Sequence, residues 1–366
     1  MRVLVTGHQG YLGTVMVPVL RAAGHDVRGL DSGLFADCLL GPAPVDPPGT
    51  AMDIRDVTAD QLTGFDAVVH LAALSNDPLG ALAPEITHAI NHHASVRLAE
   101  LAKRAGVRRF LYASTCSVYG AAGDGLVAED APLRPLTPYA VSKVRVEDDL
   151  SRLADSGFCP VFLRNATAFG FSPRLRADIV LNNLVASAFT TGRVLVLSDG
   201  TPWRPLVHAL DIAEAFTRAL TAPTSAVRGA AFNVGDEQNN VTVAQIAGAV
   251  ADVVPGAKVD ITGQTGADAR SYRVDFSAVR RAFPGYRAGW TVADGADELY
   301  RAYRAAGATD DDFRLRYTRL ARLRNLQADA VVDAELRPHR RDAEGAGAPG
   351  AAVARAAAGG SRVRSA

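Results

Sequence analysis

The chain of 366 residues is 48% hydrophobic, and its 39 Lys and Arg residues balance 39 Asp and Glu residues, so its bulk charge provides no attraction for nucleic acid or an anionic membrane. It has no run of about 18 apolar residues that predicts a membrane span, and its first residues lack the pattern of a secretory leader. The three cysteines are widely separated and the histidines show no ligand spacing, which argues against a disulfide framework or a metal site and favours a cytoplasmic protein.

Short β-branched runs alternate with longer segments of helical period over residues 1–170. This alternation predicts an α/β fold, a Rossmann-type doubly wound parallel sheet with helices on both faces. Apolar residues recur at helical spacing from Ile86 to Leu101, and Gly106 is a typical helix stop. Strands are expected at residues 2–6, 26–30, 67–72, 110–114 and 161–164.

The later part of the chain is less regular. Residues 32–52 are rich in Pro and Gly and predict a long loop. Over residues 171–335 we expect mainly a smaller C-terminal substrate-binding lobe, with some segments returning to the Rossmann domain. Within this part we expect a helix at 179–190, a strand at 194–197, a loop at 199–205, and a helix from about 310 whose five arginines between Arg314 and Arg324 face solvent. Residues 339–366 are mostly small and predict a disordered tail.

A glycine-rich turn follows the first predicted strand. Gly7, Gly10 and Gly13 form a GxxGxxG spacing, with Tyr11 and Leu12 between the last two, and a potentially helical apolar segment follows. Glycines permit a tight turn and let backbone amides approach a pyrophosphate, and a helix N-terminus adds partial positive charge. Because the motif lies at the first strand-to-helix turn, it predicts a dinucleotide site.

Asp31 stands at the end of the second predicted strand and indicates which dinucleotide binds. A carboxylate there can accept both hydroxyls of an adenosine ribose and repels a 2′-phosphate, so NAD is favoured over NADP. The alternative is a loop or helix-capping aspartate. Further candidate cofactor residues are Asp53 and Ile54 beside the adenine, Leu71, Ala72 and Ala73 on the ribose side, and Asn91 on the helix expected beneath the cofactor.

Tyr139 and Lys143 form the candidate catalytic pair. Their spacing places them one turn apart on one helical face. A free tyrosine has a pKa of about 10, and a fixed cation beside it, helped by the positive charge of a nicotinamide, stabilises the phenolate as a base. Lys143 can also hold the nicotinamide ribose. Thr115, which follows another predicted strand, can share a proton with Tyr139 and the reacting oxygen.

The chain resembles the NAD-dependent sugar-nucleotide epimerase/dehydratase family of the extended short-chain dehydrogenase/reductase superfamily. The resemblance rests on the glycine motif, Asp31, Ser114-Thr115 and the Tyr139-x-x-x-Lys143 pair, and extends to about residue 303. It implies an enzyme that uses NAD on a nucleoside-diphosphate sugar. It also implies a homodimer formed through the helices that carry Tyr139 and Ile90.

The resemblance also implies a set of substrate-binding residues. Asn165 ends a strand where relatives place an asparagine near the sugar, and Asn183 belongs to an Asn-Asn-Leu segment similar to one that contacts the substrate diphosphate. Arg204 lies in a segment similar to the family's Arg-x-x-x-His-x-x-Asp pattern, and Arg270 resembles a later phosphate or nucleoside arginine. Two arginines suit a diphosphate because each can donate in bidentate fashion. Thr115 is also a candidate substrate-binding residue.

One departure from the family pattern bears on the reaction. Related 4,6-dehydratases follow the catalytic threonine with Asp-Glu or Ser-Glu, whereas this chain has Cys116 and Ser117. Eliminating water needs an acid and a base, so dehydration is disfavoured. Cys116 is a candidate thiolate, with a small packed residue as the alternative.

The resulting hypothesis is an NAD-dependent sugar-nucleotide epimerase that acts at C4 through a transient 4-keto sugar. One alternative is a sugar-nucleotide dehydrogenase or ketoreductase, or an atypical 4,6-dehydratase. A different class is a non-catalytic dinucleotide sensor on the same fold. Intact Thr115, Tyr139 and Lys143 argue against the sensor, because a binding protein needs no phenolate base.

Overall fold

A seven-stranded parallel sheet organises the protein, as seen in a computed structural model that describes residues 1–75, 83–264 and 270–338. The tail predicted at 339–366 lies outside the described residues. The strands are β1 (Arg2–Thr6), β2 (Asp26–Asp31), β3 (Gly49–Ala51), β4 (Ala67–His70), β5 (Arg109–Thr115), β6 (Ala121–Val127), β7 (Cys159–Asn165), β8 (Thr167–Phe169), β9 (Arg193–Val196), β10 (Trp203–His208), β11 (Ala231–Val234), β12 (Asn240–Thr242), β13 (Lys258–Ile261) and β14 (Ser271–Val274).

Helices cover both faces of this sheet and surround the smaller sheets. They are α1 (Tyr11–Ala22), α2 (Pro84–His88), α3 (Ser95–Arg104), α4 (Pro138–Leu153), α5 (Val180–Thr191), α6 (Ala209–Thr221), α7 (Thr224–Val227), α8 (Val243–Val253), α9 (Ser277–Ala282), α10 (Val292–Ala306) and α11 (Arg319–Ala328). A π-helical turn, Ala89–Ala94, joins α2 to α3. In the described part of the chain, no helix is long and apolar enough to cross a membrane.

The strand order of the main sheet is β11-β7-β5-β4-β1-β2-β3, and every pairing in it is parallel. The order reverses direction between β1 and β4, which is the switch point where open α/β sheets bind ligands. Apolar side chains of its strands are buried against helices on both faces, with Met16 and Phe216 on one side and Leu98 and Leu150 on the other. The predicted Rossmann-type sheet is confirmed.

Three smaller sheets lie outside the main one. Their orders are β12-β10-β8, β13-β9 and β14-β6. A separate hydrophobic cluster packs α5, α8 and α10 together and includes Leu181, Ile246 and Leu299. Strand β11 comes from the later half of the chain yet pairs with β7 in the main sheet.

Two of the predicted loops contain strands. The loop expected at 32–52 includes β3 at the sheet edge, where a Cβ at Gly49 would lie 2.4 Å from the carbonyl oxygen of Gly29. Only a glycine permits that close pairing. The loop expected at 199–205 ends early because β10 begins at Trp203 and carries Pro205 opposite Asn240 in a short antiparallel pairing. Because proline has no backbone N–H to donate and is uncommon within strands, the sequence predicts a loop here instead of a strand.

The predicted arginine-rich helix is also different in the structure. A π-helical turn, Asp312–Arg316, precedes α11, so the segment is two pieces with a break between them. Its arginines do not all face solvent. Arg319 is only 4% exposed, and Arg322 pairs with Asp37 at 2.7 Å. The expectation of an outward basic face is therefore wrong for these two residues.

His70 ties the end of β4 to its surroundings. Its ring nitrogens form hydrogen bonds with Thr6 Oγ1 at 2.6 Å and Ser95 Oγ at 2.8 Å. Burial, with a smaller contribution from the charge of Lys143, lowers the pKa of His70 to about 3. The folded protein therefore keeps this imidazole neutral.

We expect acid to destabilise the wild-type protein more than a His70→Gln variant. As the pH falls through 6.5 toward about 3, the unfolded chain binds a proton on His70 that the folded chain excludes, so the stability contributed by the neutral ring is lost. Glutamine hydrogen-bonds but does not titrate. Chemical denaturation at several pH values measures the free energy of unfolding; an equal loss in both proteins between neutral pH and about pH 4 would contradict this linkage.

Candidate functional site

A cleft of about 900 Å³ opens at the carboxyl ends of the main-sheet strands. Its volume is in the range of small-molecule and cofactor sites. Most of the residues predicted from the sequence line it together: Gly7, Gly10, Tyr11, Leu12, Gly13, Asp31, Asp53, Ile54, Leu71, Ala72, Ala73, Thr115, Tyr139, Lys143, Asn165, Arg204 and Arg270. Cys116, Asn91 and Asn183 are not among the lining residues.

The glycine turn has the geometry that a dinucleotide site requires. Gly7 has a φ of +77°, which favours glycine, and a Cβ at Gly13 would lie 2.2 Å from the carbonyl oxygen of Gly7. Gly10 is the N-cap of α1 and contributes no side-chain hydrogen bond. The N-terminus of α1 therefore faces the cleft without a competing side chain, as anion binding needs.

Asp31 is fixed at the rim of the same turn. Its carboxylate accepts hydrogen bonds from the backbone amides of Gln9, at 2.9 Å, and Gly33, at 2.8 Å. Each carboxylate oxygen keeps a second lone pair, so the group can still accept from ribose hydroxyls. The site thus fits an unphosphorylated adenosine ribose and opposes a 2′-phosphate.

Asp53 and Asn91 have structural partners of their own. The Asp53 carboxylate pairs with Arg55 at 2.6 Å and caps the turn that begins at Ile54. Asn91 is fully buried behind the cleft, where its side chain accepts from the Leu74 amide at 2.7 Å and donates to the Leu74 carbonyl at 3.0 Å. The prediction that Asn91 contacts the cofactor is not supported; it positions the loop after β4 that does line the cleft.

Helix α4 presents the Tyr139 and Lys143 side chains to the cleft. Thr137 caps the helix by accepting from the Ala140 amide at 3.1 Å, and Pro138 occupies its first turn. Lys143 is 2% exposed, and its Nζ donates to the Ala113 carbonyl at 2.7 Å. The same nitrogen lies 5.6 Å from the centre of the Tyr139 ring. Burial lowers the pKa of Lys143 to about 7, although the Glu147 carboxylate opposes this shift.

Thr115 and Ser117 add two hydroxyls to this part of the cleft. Thr115 ends β5 and caps the short turn Cys116–Tyr119 by accepting from the Ser117 amide at 3.1 Å. The two side-chain oxygens lie 2.9 Å apart. Both residues line the cleft together with Tyr139.

The Cys116 side chain points away from the cleft. It is 1% exposed, and its thiol donates to the Arg164 carbonyl at 3.0 Å. Burial raises the pKa of the thiol far above its ordinary value. Since only a thiolate is nucleophilic or basic, the geometry argues against the catalytic role predicted for Cys116 and favours the alternative of a small packed residue. Ser117 is the residue of this pair that faces the cleft.

A buried charge network behind the candidate catalytic pair was not predicted from the sequence. Glu147 binds the guanidinium of Arg164 in bidentate fashion, with a closest approach of 2.6 Å, and also accepts from Ser114. Arg164 then donates to the Tyr119 hydroxyl at 3.0 Å, and that hydroxyl donates to Asn233 at 2.7 Å. The signal in the sequence was Glu147, one helical turn after Lys143 on the same face.

The predicted substrate residues divide into two groups. Asn165 is 7% exposed, and its Oδ1 is buried without a hydrogen-bond partner among the described residues. Arg204 donates to the carbonyls of Trp203, at 2.9 Å, and of Arg270, so β10 and the start of β14 meet at the cleft. Asn183, in contrast, is exposed on α5 outside the lining residues, so the cleft does not support its predicted role.

Neighbouring residues of these segments are structural. Asn182 is fully buried and binds the backbone of Gly170. His208 stacks on Trp290 with ring centres 4.1 Å apart and contacts Glu298 at 2.8 Å. Across the ranges that the structure describes, no group of three or more His, Cys, Asp or Glu side chains could hold a metal ion.

A glycine turn, a carboxylate at the end of the second strand and a Tyr-Lys pair on one cleft of a Rossmann-type sheet are typical of dinucleotide-dependent enzymes. The chain belongs to the NAD dependent epimerase/dehydratase family, whose model matches residues 3–235. The resemblance stated from the sequence motifs is therefore confirmed.

Two curated relatives are similar over the same part of the chain. The UDP-glucose 4-epimerase of Mycolicibacterium smegmatis is 33% identical over 248 residues, which are 64% of this chain and 77% of the relative. The UDP-glucose 4-epimerase of Bacillus subtilis is 28% identical over 265 residues, which are again 64% of this chain and 77% of the relative.

Solved structures of the family share the fold. A UDP-glucose 4-epimerase from Stenotrophomonas maltophila, with bound NAD and formylated UDP-arabinopyranose, has a TM-score of 0.72 and 26% identity over 84% of this chain and 99% of its own. A dTDP-glucose 4,6-dehydratase from Streptomyces venezuelae, with NAD bound, also has a TM-score of 0.72 and 26% identity, over 85% of this chain and 100% of its own. The comparison of folds therefore does not separate epimerases from dehydratases.

We expect Asp31→Asn to weaken NAD binding by about tenfold, the effect of losing hydrogen bonds to a charged acceptor. Calorimetric titration with NAD measures this. Asp26→Asn is the matched control, because Asp26 begins the same strand and its side chain is 57% exposed. Equal NAD affinities of the two variants, at unchanged melting temperature, would refute the role of Asp31.

We expect Cys116→Ala to retain most of its turnover, because the thiol does not reach the cleft. Ser117→Ala should lower turnover by about tenfold, since it removes a hydrogen bond to Thr115. The two variants are compared by their steady-state rates with a sugar nucleotide that the wild type converts. A large loss in Cys116→Ala, without a lower melting temperature, would restore the thiolate hypothesis.

Proposed function

We propose that the protein catalyses NAD-dependent epimerisation at C4 of a nucleoside-diphosphate sugar through a transient 4-keto intermediate. One observation carries the proposal: Thr115, Tyr139 and Lys143 line the same cleft as the glycine turn and Asp31. The curated relatives described above, which are named UDP-glucose 4-epimerases, support this reaction. A UDP-hexose is therefore the first substrate to test.

In the proposed mechanism Tyr139, as a phenolate, takes the proton of the substrate 4-hydroxyl. Lys143 holds positive charge next to Tyr139 and stabilises the phenolate. Thr115 donates a hydrogen bond to the same substrate oxygen and orients it. Bound NAD supplies a hydride acceptor that also returns the hydride. Tyr139 then gives its proton back to the oxygen of the inverted carbon, so no net oxidation results.

Substrate inversion requires that the sugar turn while its diphosphate stays anchored. We propose Arg204 and Arg270 as the anchors, because both line the cleft and their segments are joined by a hydrogen bond. Asn165 has a buried oxygen without a partner among the described residues, and we propose that it binds a sugar hydroxyl. Asn183 needs a local rearrangement to take part.

The distribution of carboxylates argues against dehydration. Among the described residues that line the cleft, the carboxylates are Asp31, Asp53 and Asp178. The first two lie at the glycine turn and the predicted adenine end, and Asp178 pairs with Arg176 at 2.8 Å. Next to Thr115 the cleft presents the hydroxyl of Ser117 instead of a carboxylic acid. Elimination of water lacks its acid and base there.

We also propose a homodimer in the cytoplasm, in which residues 171–335 form most of the substrate lobe. The family resemblance implies pairing through α4 and the helix that contains Ile90. Within one chain these helices are joined by a contact between His92 Nε2 and Asp149 Oδ2, which lie 2.7 Å apart. Light scattering of the purified chain tests the dimer.

We expect Tyr139→Phe to lower turnover by about 10²–10⁴-fold, the usual contribution of a general acid–base group. NAD should remain bound, because the glycine turn and Asp31 are unchanged. Tyr300→Phe is a control on α10, outside the residues that line the cleft. Turnover near the wild-type rate in Tyr139→Phe would eliminate the mechanism.

Product analysis distinguishes the candidate reactions. The purified protein is incubated with a panel of nucleoside-diphosphate sugars, and products are examined by mass spectrometry and NMR. An isomer of equal mass with no net change in reduced cofactor supports the epimerase. Loss of water identifies a dehydratase, and a change of two hydrogens with stoichiometric cofactor turnover identifies a dehydrogenase or ketoreductase. Binding of NAD without any product supports a sensor.

A further inference from the structure

Arg319 is a buried cation that reaches the cleft from outside the matched family region. It begins α11, whereas the family model ends at residue 235. The side chain lines the cleft, and the residue is only 4% exposed. The sequence pattern predicts a solvent-facing arginine at this position.

Two of the three guanidinium nitrogens of Arg319 have no hydrogen-bond partner in the described parts of the chain. Its Nη1 and Nη2 are buried without partners. Its carbon lies 4.4 Å from the centre of the Phe35 ring, so the side chain stacks on an aromatic face. The hydrogen-bonding group beside the guanidinium is the Cys38 thiol, which donates to the Arg316 carbonyl at 3.2 Å and is itself only a weak acceptor.

An unpaired buried guanidinium is costly, because charged groups lose their hydration on burial. Burial indeed lowers the pKa of Arg319 below its ordinary value. The Asp178 carboxylate pairs with Arg176 at 2.8 Å and accepts a hydrogen bond from the Arg319 backbone amide at 3.4 Å, so its charge offsets the burial of the guanidinium only in part. The arrangement is that of a site completed by an anion.

The residues around Arg319 indicate which anion binds there. Phe35 lies in the loop that follows Asp31, and the charge of Arg319 acts on Tyr11 in the glycine turn. The C-terminal segment also adds Leu336 to the cleft lining, and Arg55 donates to the Glu335 carbonyl at 3.0 Å, beside Asp53. The segment thus covers the predicted adenosine half of the cleft, away from Arg204 on β10 and from Arg270, which immediately precedes β14.

We propose that Arg319 binds the diphosphate bridge of the dinucleotide, so that the C-terminal segment forms part of the cofactor site. This inference rests on the proposed use of NAD. A planar guanidinium can donate two parallel hydrogen bonds to phosphate oxygens. It would act together with the N-terminus of α1, which contributes amides and partial positive charge. A diphosphate in the substrate is the other source of the same chemistry.

The test uses the full chain with Arg319→Met, Arg319→Lys and the control Arg324→Met. Methionine preserves packing against Phe35 without charge, and lysine preserves charge without the planar fork. Arg324 is exposed on the same helix. Cofactor content is measured as purified, and after removal of cofactor the binding of NAD, ADP-ribose and UDP is titrated by calorimetry.

We expect Arg319→Met to raise the dissociation constants of NAD and ADP-ribose by about tenfold or more, and Arg319→Lys to have a smaller effect. UDP binding and the Arg324→Met protein should match wild type. Unchanged binding of NAD, or weaker binding of UDP alone, would overturn the assignment to the cofactor.

Melting temperatures separate this role from a structural one. Without dinucleotide, Arg319→Met should be at least as stable as wild type, because an unpaired buried charge is removed. With saturating NAD, the wild type should gain more stability than the variant. A variant less stable in both conditions would show a packing role and overturn the proposal. These readouts do not depend on turnover, so failure of the epimerase proposal is distinguishable from failure of this one.

Discussion

The buried ammonium of Lys143 is the feature on which the arrangement of the cleft depends. It is held by one carbonyl, that of Ala113 on β5, and lies over the face of Tyr112, 4.6 Å from the ring centre. An ammonium in such surroundings needs a negative charge within reach, and Glu147 provides it one helical turn further along α4.

The Glu147 carboxylate is in turn part of the framework of the sheet. Its pairing with Arg164 joins α4 to β7, and the chain of contacts through Tyr119 to Asn233 reaches β11. Burying such a network gains little stability over apolar packing, but it permits few alternative arrangements. The position of Tyr139 therefore follows from the order β11-β7-β5 as well as from the local helix.

Much of the fold and of the cofactor site could be predicted because both depend on residues that are close together in the sequence. Strand β1 begins and ends at the predicted residues, since a buried parallel strand is a continuous apolar run. The glycine turn and Asp31 lie at the predicted strand ends, where the chemistry of the loop follows from adjacent residues. Strand β3 could not be recognised, because its pairing depends on the absence of a side chain at Gly49 and not on an apolar pattern.

The site predictions that the cleft geometry does not support concern side-chain direction, which spacing does not fix at a turn. Cys116 and Ser117 are neighbours in a 3₁₀ turn, so one faces the core and the other the cleft. Asn182 and Asn183 divide in the same way at the start of α5, where the buried one holds Gly170. Arg319 was not among the predicted site residues, because the residues beside it, Phe35 and Cys38, are distant in sequence.

The two edges of the main sheet are both unsuited to accept another strand. At one edge β3 has only three residues, all exposed, and one of them is a glycine. At the other, the outward amide of Asn233 on β11 donates to the Glu129 carboxylate at 2.8 Å, which leaves this donor unavailable to an incoming chain. Short or blocked edges discourage the strand-to-strand association that leads to aggregates. Edge-to-edge association of two copies through the main sheet is thereby disfavoured.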